Sequence, residues 1–288
     1  MLKYDWERTP VKIDLTNFLF KMSAAKDTEE LWNLLLKGME FYGFDRLLYG
    51  FSRFTTGTSV GDPNDFLILS NHKKKYLEGF VDTEHLMNAP MVKWAIQNDG
   101  ACSWRLIQSL YAKDKLDVQT RAVVEFNRQH NVNAGYTISF MGVSSRSRGA
   151  ISLTAKPHLS QEDVDKIWAQ KGEEIQLINN VAHLKIMSLP HLTNSGERLT
   201  NRQREALEWV SDGKTTQDIA TLMGLTQATV EKHLRLARKV LGVETTAQAV
   251  IRAAFQNQIF LSKLLFPFKA FLLPLYRQKV SFSLLVDI

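Results

Sequence analysis

Residues 199–242, LTNRQREALEWVSDGKTTQDIATLMGLTQATVEKHLRLARKVLG, decide the fold of the C-terminal part of the chain. Three apolar periodic segments are cut by two turn signals. Ala206, Leu207, Trp209 and Val210 form the first, ended by Asp212-Gly213. Ile219, Ala220, Leu222 and Met223 form the second, ended by Gly224. The third opens at Thr226 and carries Val230, Leu234, Ala237, Val240 and Leu241 before Gly242. Apolar residues recurring every three to four positions mark helices. Two short helices meeting at a glycine turn are the layout of a helix-turn-helix. Thr226 suits the N-cap of the third helix, because its hydroxyl can accept a free N–H of the first turn. An uncovered helix N-terminus also attracts phosphate.

The third helix is patterned to lie in a major groove. Val230, Leu234, Ala237 and Leu241 fall on one face, and Gln227, Glu231, Lys232, Arg235, Arg238 and Lys239 on the other. Arg235 and Glu231 are one turn apart and point the same way. Arginine reads guanine with two bonds, and glutamate accepts from cytosine N4. The flanking lysines and arginines neutralise phosphates. Double-stranded DNA is therefore the expected partner, met by Thr226, Thr229, Glu231, Lys232, Arg235, Arg238 and Lys239. An ordinary solvated helix with a Glu231–Arg235 pair is the alternative, and the agreement of cap, turn and length speaks against it. Such readers work in pairs on half-sites about one helical turn apart. A homodimer is expected, with residues 160–187 and 246–257 as its contact helices.

This stretch resembles the LuxR-type DNA-binding domain. The resemblance rests on Leu199-Thr200, Arg202, Glu205, Leu207, Gly213-Lys214-Thr215, Ile219-Ala220, Leu225, Thr229-Val230, His233 and Ala249. Gln203 stands where that family usually carries a glutamate, which keeps a hydrogen bond and drops a charge.

At 288 residues the chain suits two domains, each with its own core. Its 44% hydrophobic and 23% charged residues are those of a globular protein. The net charge of +6 is gathered towards the C-terminus: residues 1–196 carry 23 basic and 22 acidic side chains, residues 197–260 carry 9 and 7. The lone Cys102 cannot form an internal disulfide and lacks partners at metal-ligand spacing. It reads as a structural cysteine in a cytoplasmic protein without metal or cofactor. MLKYDWERTP lacks the apolar core of a signal peptide, and no run of residues is apolar enough to span a membrane. The apolar segment 261–288, broken by Pro267 and Pro274, is an extension of unknown role.

Upstream, periodicity predicts helices at 14–23, 29–42, 73–81, 90–98 and 117–130, and a long amphipathic one at 160–187. Strands are expected at 47–54, 66–70, 101–104, 135–141 and 149–155. The order does not alternate strand and helix. It predicts an α+β chain: an α/β/α sandwich with an antiparallel sheet, followed by an all-α helix-turn-helix domain of four helices. Domains are placed at 1–187 and 199–260, joined by a linker at 188–198. Aromatic residues gather where a wall between sheet and helices would form, namely Tyr49, Phe51, Phe66, Tyr76, Phe80, Trp94, Trp104, Tyr111 and Tyr136. Such stripes serve a core as readily as a ligand pocket.

Residues 15–185 resemble the autoinducer-binding domain of quorum-sensing regulators, through the element order, Gly43-Phe44, Pro90, Trp104 and Gly135. The resemblance implies a pocket formed by Tyr49, Tyr76, Phe80, Ala89, Trp104, Gly135 and Thr137. In that family a tryptophan holds the lactone carbonyl of an acyl-homoserine lactone, an aspartate accepts from its amide, and tyrosines line the walls. Here Tyr76 falls at the tryptophan position, Phe80 at a tyrosine and Ala89 at the aspartate. An amide N–H left unpaired in a buried pocket costs about 1–3 kcal/mol, or about 10–100-fold in affinity, unless the adjacent Asn88 accepts it. The chain is thus expected to be a transcriptional regulator responding to a small-molecule signal other than an ordinary acyl-homoserine lactone, with RNA polymerase as a further partner. Alternatively, the sensor-like domain only dimerises. Catalysis has no support, because no nucleophile, phosphate-binding or dinucleotide motif occurs.

Overall fold

Alternation along the strands decides how the N-terminal unit is layered. The computed structural model describes residues 13–52, 66–81, 85–140, 147–190 and 198–260, and the chain divides into two units between Glu197 and Arg198. The first unit contains β1 (Phe44–Ser52), β2 (Leu67–Ser70), β3 (Gly100–Ser103), β4 (Gly135–Phe140) and β5 (Arg148–Ala155). They form one antiparallel sheet in the order β2-β1-β5-β4-β3. Leu47, Tyr49, Tyr136, Ile138, Phe140, Ile151 and Leu153 face one way, into a core shared with α1 (Leu15–Ala24), α2 (Thr28–Phe41) and α8 (Gln161–Ser188).

The intervening residues face the opposite layer. It comprises α3 (Lys74–Val81), α4 (His85–Asn88), α5 (Pro90–Gln97), α6 (Arg105–Ala112) and α7 (Val118–Gln129). A smaller core of Tyr76, Phe80, Ala89, Met91, Trp104, Val123 and Val132 fills that side. The result is the expected α/β/α sandwich.

Helix starts are set by side chains. Asp14, Asp27 and Asp117 cap α1, α2 and α7, and Ser160 with Asp163 closes a capping box on α8. One boundary and two short helices depart from the sequence expectation. β1 begins at Phe44, because Gly43, at φ +91°, turns the chain out of α2. The polar pair Asp45-Arg46 hides those residues from an apolar pattern, and the register shifts there. α4 and α6 were not anticipated. α4 is a single turn, and α6 buries no residue fully.

The second unit is all helical: α9 (Asn201–Ser211), α10 (Thr216–Met223), α11 (Gln227–Leu241) and α12 (Thr246–Phe255). Thr200, Thr215, Thr226 and Thr245 cap the four helices. Gly224 (φ +66°) and Gly242 (φ +64°) close α10 and α11 in the left-handed region, where a side chain would be strained. The unit's core is built on Leu207, Ile219, Val230, Leu234, Ala237, Ala249 and Ala253. Among the described residues no helix is long and apolar enough to cross a membrane. Residues 53–65 and 141–146, which include the ends of two expected strands, most of the linker and the segment 261–288 lie outside the described residues.

Candidate ligand cavity and DNA-binding face

Between the sheet and the α3–α7 layer lies a cavity of about 690 Å³, in the range of small-molecule sites. Leu48, Ser152 and Thr154 come from the sheet, His72, Tyr76 and Phe80 from α3 and its approach, and Ala89, Met91 and Val92 from α5. Trp104, Ile107, Gln108 and Tyr111 come from α6 and its cap, and Asn127 and Arg128 from α7. A second, smaller cavity of about 110 Å³ shares Leu48, Met91, Val92 and Ser152 with it. Its further walls are mostly apolar, among them Phe66, Ile68, Val81, Leu86, Ala95 and Ile96, with Ser52, Thr137 and Arg148 as polar positions.

Tyr76, Phe80, Ala89 and Trp104 are brought together as walls of the larger cavity. The Tyr76 hydroxyl donates to Asn127 Oδ1 at 3.0 Å. Its ring stacks on His72 at 4.5 Å and on Phe80 at 5.5 Å. Burial pushes the Tyr76 phenol up, with the Arg46 charge opposing. Burial, helped by Arg46, lowers His72 to about 4, so this ring is neutral at neutral pH. Ala89 sits buried just before Pro90 and offers no side-chain acceptor. Asn88 is not among the residues lining either cavity.

Trp104 is held from below. Its indole Nε1–H donates to Thr137 Oγ1 at 2.9 Å, and Thr137 Oγ1 lies 3.2 Å from Ser152 Oγ. Thr137 borders the smaller cavity. Gly135 borders neither cavity and acts by clearance: a Cβ there would stand 2.1 Å from the Leu153 carbonyl oxygen and 3.0 Å from the Trp104 ring.

Tyr49 borders the smaller cavity, while its ring packs in the core of the opposite face, where its hydroxyl meets His183 Nδ1 of α8 at 2.9 Å. Phe51 and Tyr136 belong to that core too, and Tyr136 stacks on Trp168 at 3.9 Å. Tyr49 and Phe51 thus belong both to that core and to the border of the smaller cavity, and Tyr136 lines neither cavity.

Two features were missed in the sequence. Thr154 is 1% exposed, lines the larger cavity, and its Oγ1 has no hydrogen-bond partner among the described residues. Gln161, the first residue of α8, grips Gly135 on both sides. Its Oε1 accepts from Gly135 N–H at 3.0 Å, and its Nε2 donates to Gly135 O at 3.2 Å, Ser103 Oγ at 3.0 Å and Asp165 Oδ1 at 2.9 Å. Burial works against ionisation of Asp165, but hydrogen bonds from Ser103, Gln161, Arg105 and Tyr136 outweigh it and hold the carboxyl below the usual range. A strand threonine and a helix-start glutamine carry no pattern that would single them out beforehand.

In the second unit, Thr226 caps α11 through Thr229 N–H at 3.3 Å, and the two threonine hydroxyls lie 2.9 Å apart. Val230, Leu234, Ala237 and Leu241 are buried. Glu231, Lys232, Arg235 and Lys239 are exposed along the other face, and no ion pair among the described residues engages them. They are free to meet bases and phosphates. Arg238 departs from the expectation. It is half-buried, and its guanidinium donates to Thr246 Oγ1 of α12 at 3.1 Å. Gln203 is buried, and its amide oxygen accepts from Thr200 N–H at 2.9 Å, so the position serves as a neutral cap.

Comparison with known proteins agrees with this geometry. The model of the autoinducer binding domain matches residues 27–186, and that of bacterial regulatory proteins of the luxR family matches residues 197–253. The transcriptional activator protein AnoR of Acinetobacter nosocomialis is 25% identical, over 80% of this chain and 92% of its own. ExpR of Dickeya dadantii is 26% identical, over 68% and 80%. The crystal structure of Escherichia coli SdiA covers 86% of this chain and 98% of its own, at 17% identity and a TM-score of 0.45. The chain belongs to the LuxR family: it is a helix-turn-helix transcriptional regulator with an autoinducer-binding domain, not an enzyme.

Proposed function

We propose that this regulator responds to a small amphipathic molecule other than an ordinary acyl-homoserine lactone, and that it acts as a homodimer on DNA. The observation that carries the first part is Ala89. It stands in the cavity wall where the resemblance puts an aspartate, and no carboxylate is among the described residues that line the cavity. Tyr76 already spends its hydroxyl proton on Asn127, and Phe80 has no hydroxyl. A lactone amide would enter this cavity without a carboxylate to accept its N–H, and so without a charge-assisted hydrogen bond worth about 1.5–3 kcal/mol. A preformed cavity of 690 Å³ also favours a sensor over a domain that only dimerises. The signal would shift the protein between states that do and do not bind DNA.

Support for the dimer comes from α8. Glu173, Leu177, Asn180 and Leu184 are exposed at a 4-3-4 spacing, the repeat of a helix seam.

Thermal shift with a panel of acyl-homoserine lactones, on the native protein and on Ala89→Asp, tests the ligand reading. The native protein should show no saturable stabilisation at sub-micromolar lactone. Ala89→Asp should melt lower without ligand, because it buries an unpaired carboxylate, and should gain more from lactone. Tight lactone binding by the native protein would overturn the reading.

A further inference from the structure

Resting on the reading of the cavity as a ligand site, we propose that the signal is an amphiphile with a carboxylate head, held in the larger cavity by Arg128 and the Thr154 hydroxyl, with its alkyl chain in the smaller one. Among the described residues lining the larger cavity none carries a carboxylate, and Arg128 is the one arginine or lysine. Its guanidinium lies 5.0 Å over the ring of Tyr111, another wall residue. Glu125 lies 3.5 Å from Arg128 and accepts from the Tyr111 hydroxyl, but it is outside the lining. A guanidinium has five donors, enough for Glu125 and a ligand carboxylate together.

A second cation reinforces the field. Arg46 is the direct cross-strand partner of Thr154, so both side chains share the cavity face of the sheet. Its guanidinium is held by the carbonyls of His130, Asn131 and Ala155 and by Asp45 at 3.0 Å. Its charge reaches the cavity wall, opposing protonation of His72 and favouring ionisation of Tyr76. An aspartate at position 89 would repel an anion. Alanine removes that repulsion along with the amide acceptor.

Thr154 supplies the second, independent sign. A buried hydroxyl without a partner is costly, and this one belongs to the cavity wall. A hydroxyl can donate to a carboxylate oxygen. The smaller cavity adjoins the larger across Leu48, Met91, Val92 and Ser152, and its walls are mostly apolar, as an alkyl chain needs; its one arginine among the described residues, Arg148, is engaged by Asp99 at 2.7 Å.

The test titrates the full-length protein with decanoate, methyl decanoate and octanoyl glycerol, each below its aggregation limit and near neutral pH. Decanoate should bind about tenfold tighter than its methyl ester, and the margin should shrink with added salt, because the Arg128 side chain is 57% exposed. Arg128→Gln should erase the margin, Arg128→Lys should keep most of it, and Thr154→Val should weaken decanoate about threefold or more. Melting curves of the unliganded variants check that each is folded. Equal binding of acid and ester, or an unchanged margin in Arg128→Gln, overturns the proposal. Binding of octanoyl glycerol without decanoate overturns it too, while leaving a non-lactone sensor standing. Binding of acyl-homoserine lactones alone would overturn both.

Discussion

Gly135 and His183 show how single residues govern this molecule. Gly135 has no room for a methyl group between the Leu153 carbonyl and the Trp104 ring. Gly135→Ala should destabilise the N-terminal unit by about 3 kcal/mol and displace Trp104. Chemical denaturation with tryptophan fluorescence measures both, and an unchanged midpoint would refute the clearance argument. His183 is buried against Phe140, 4.3 Å between rings, and burial lowers its pKa from 6.5 to about 4. Its folded pKa lies below the unfolded one. As pH falls from 6.5 towards 4, the unfolded chain takes up a proton that the fold refuses. Stability present above pH 6.5 is therefore lost across that window, on the order of 3 kcal/mol for this histidine, with His72 adding a similar loss. The exposed capping carboxylates Asp163 and Asp218, lowered chiefly by their Ser160 and Thr215 hydrogen bonds, titrate below this window. His183→Phe should flatten the stability profile between pH 6.5 and 4. An identical slope in wild type and variant would remove His183 as its source.

At the scale of one element, α11 separates reading from anchoring. Arg235 is exposed and unpaired among the described residues, one turn from Glu231. Arg235→Ala should weaken a preferred site by about 1–3 kcal/mol more than random DNA. Equal losses on both would make Arg235 a phosphate contact. Lys239→Ala should lower the salt slope of binding by about one, with specificity retained. Arg238→Ala should behave differently from both. It breaks the bond to Thr246, so the expected loss is in melting temperature, with the salt slope unchanged. A lowered slope at full stability would return Arg238 to the DNA face.

At the scale of the whole molecule, the open question is assembly. The exposed α8 stripe contains Leu184, 68% exposed, and Leu177, 43% exposed. A stripe related to itself by a two-fold axis makes an isologous contact. Leu184→Asp should therefore convert a dimer into monomers in sedimentation equilibrium and weaken binding to a paired half-site. A dimer of unchanged affinity would place the contact elsewhere.

What the chain determined by itself is local. Helix periodicity, threonine caps and the glycines at 224 and 242 act within a few residues, so α9–α12 and the run of α8 were legible. The departures at Tyr76, Phe80 and Ala89 were legible as well, since each falls at a recognisable spacing. Only the tertiary structure decided which strand face meets the ligand. β1 is apolar on both sides, with Leu47, Leu48 and Tyr49 in succession, so alternation could not tell core from cavity. The bonds from Trp104 to Thr137, from Gln161 to Gly135 and from Arg238 to Thr246 join residues that meet only after the layers or helices have packed. Thr154 became notable in the same way: a hydroxyl is ordinary in a strand and costly only once its surroundings are dry.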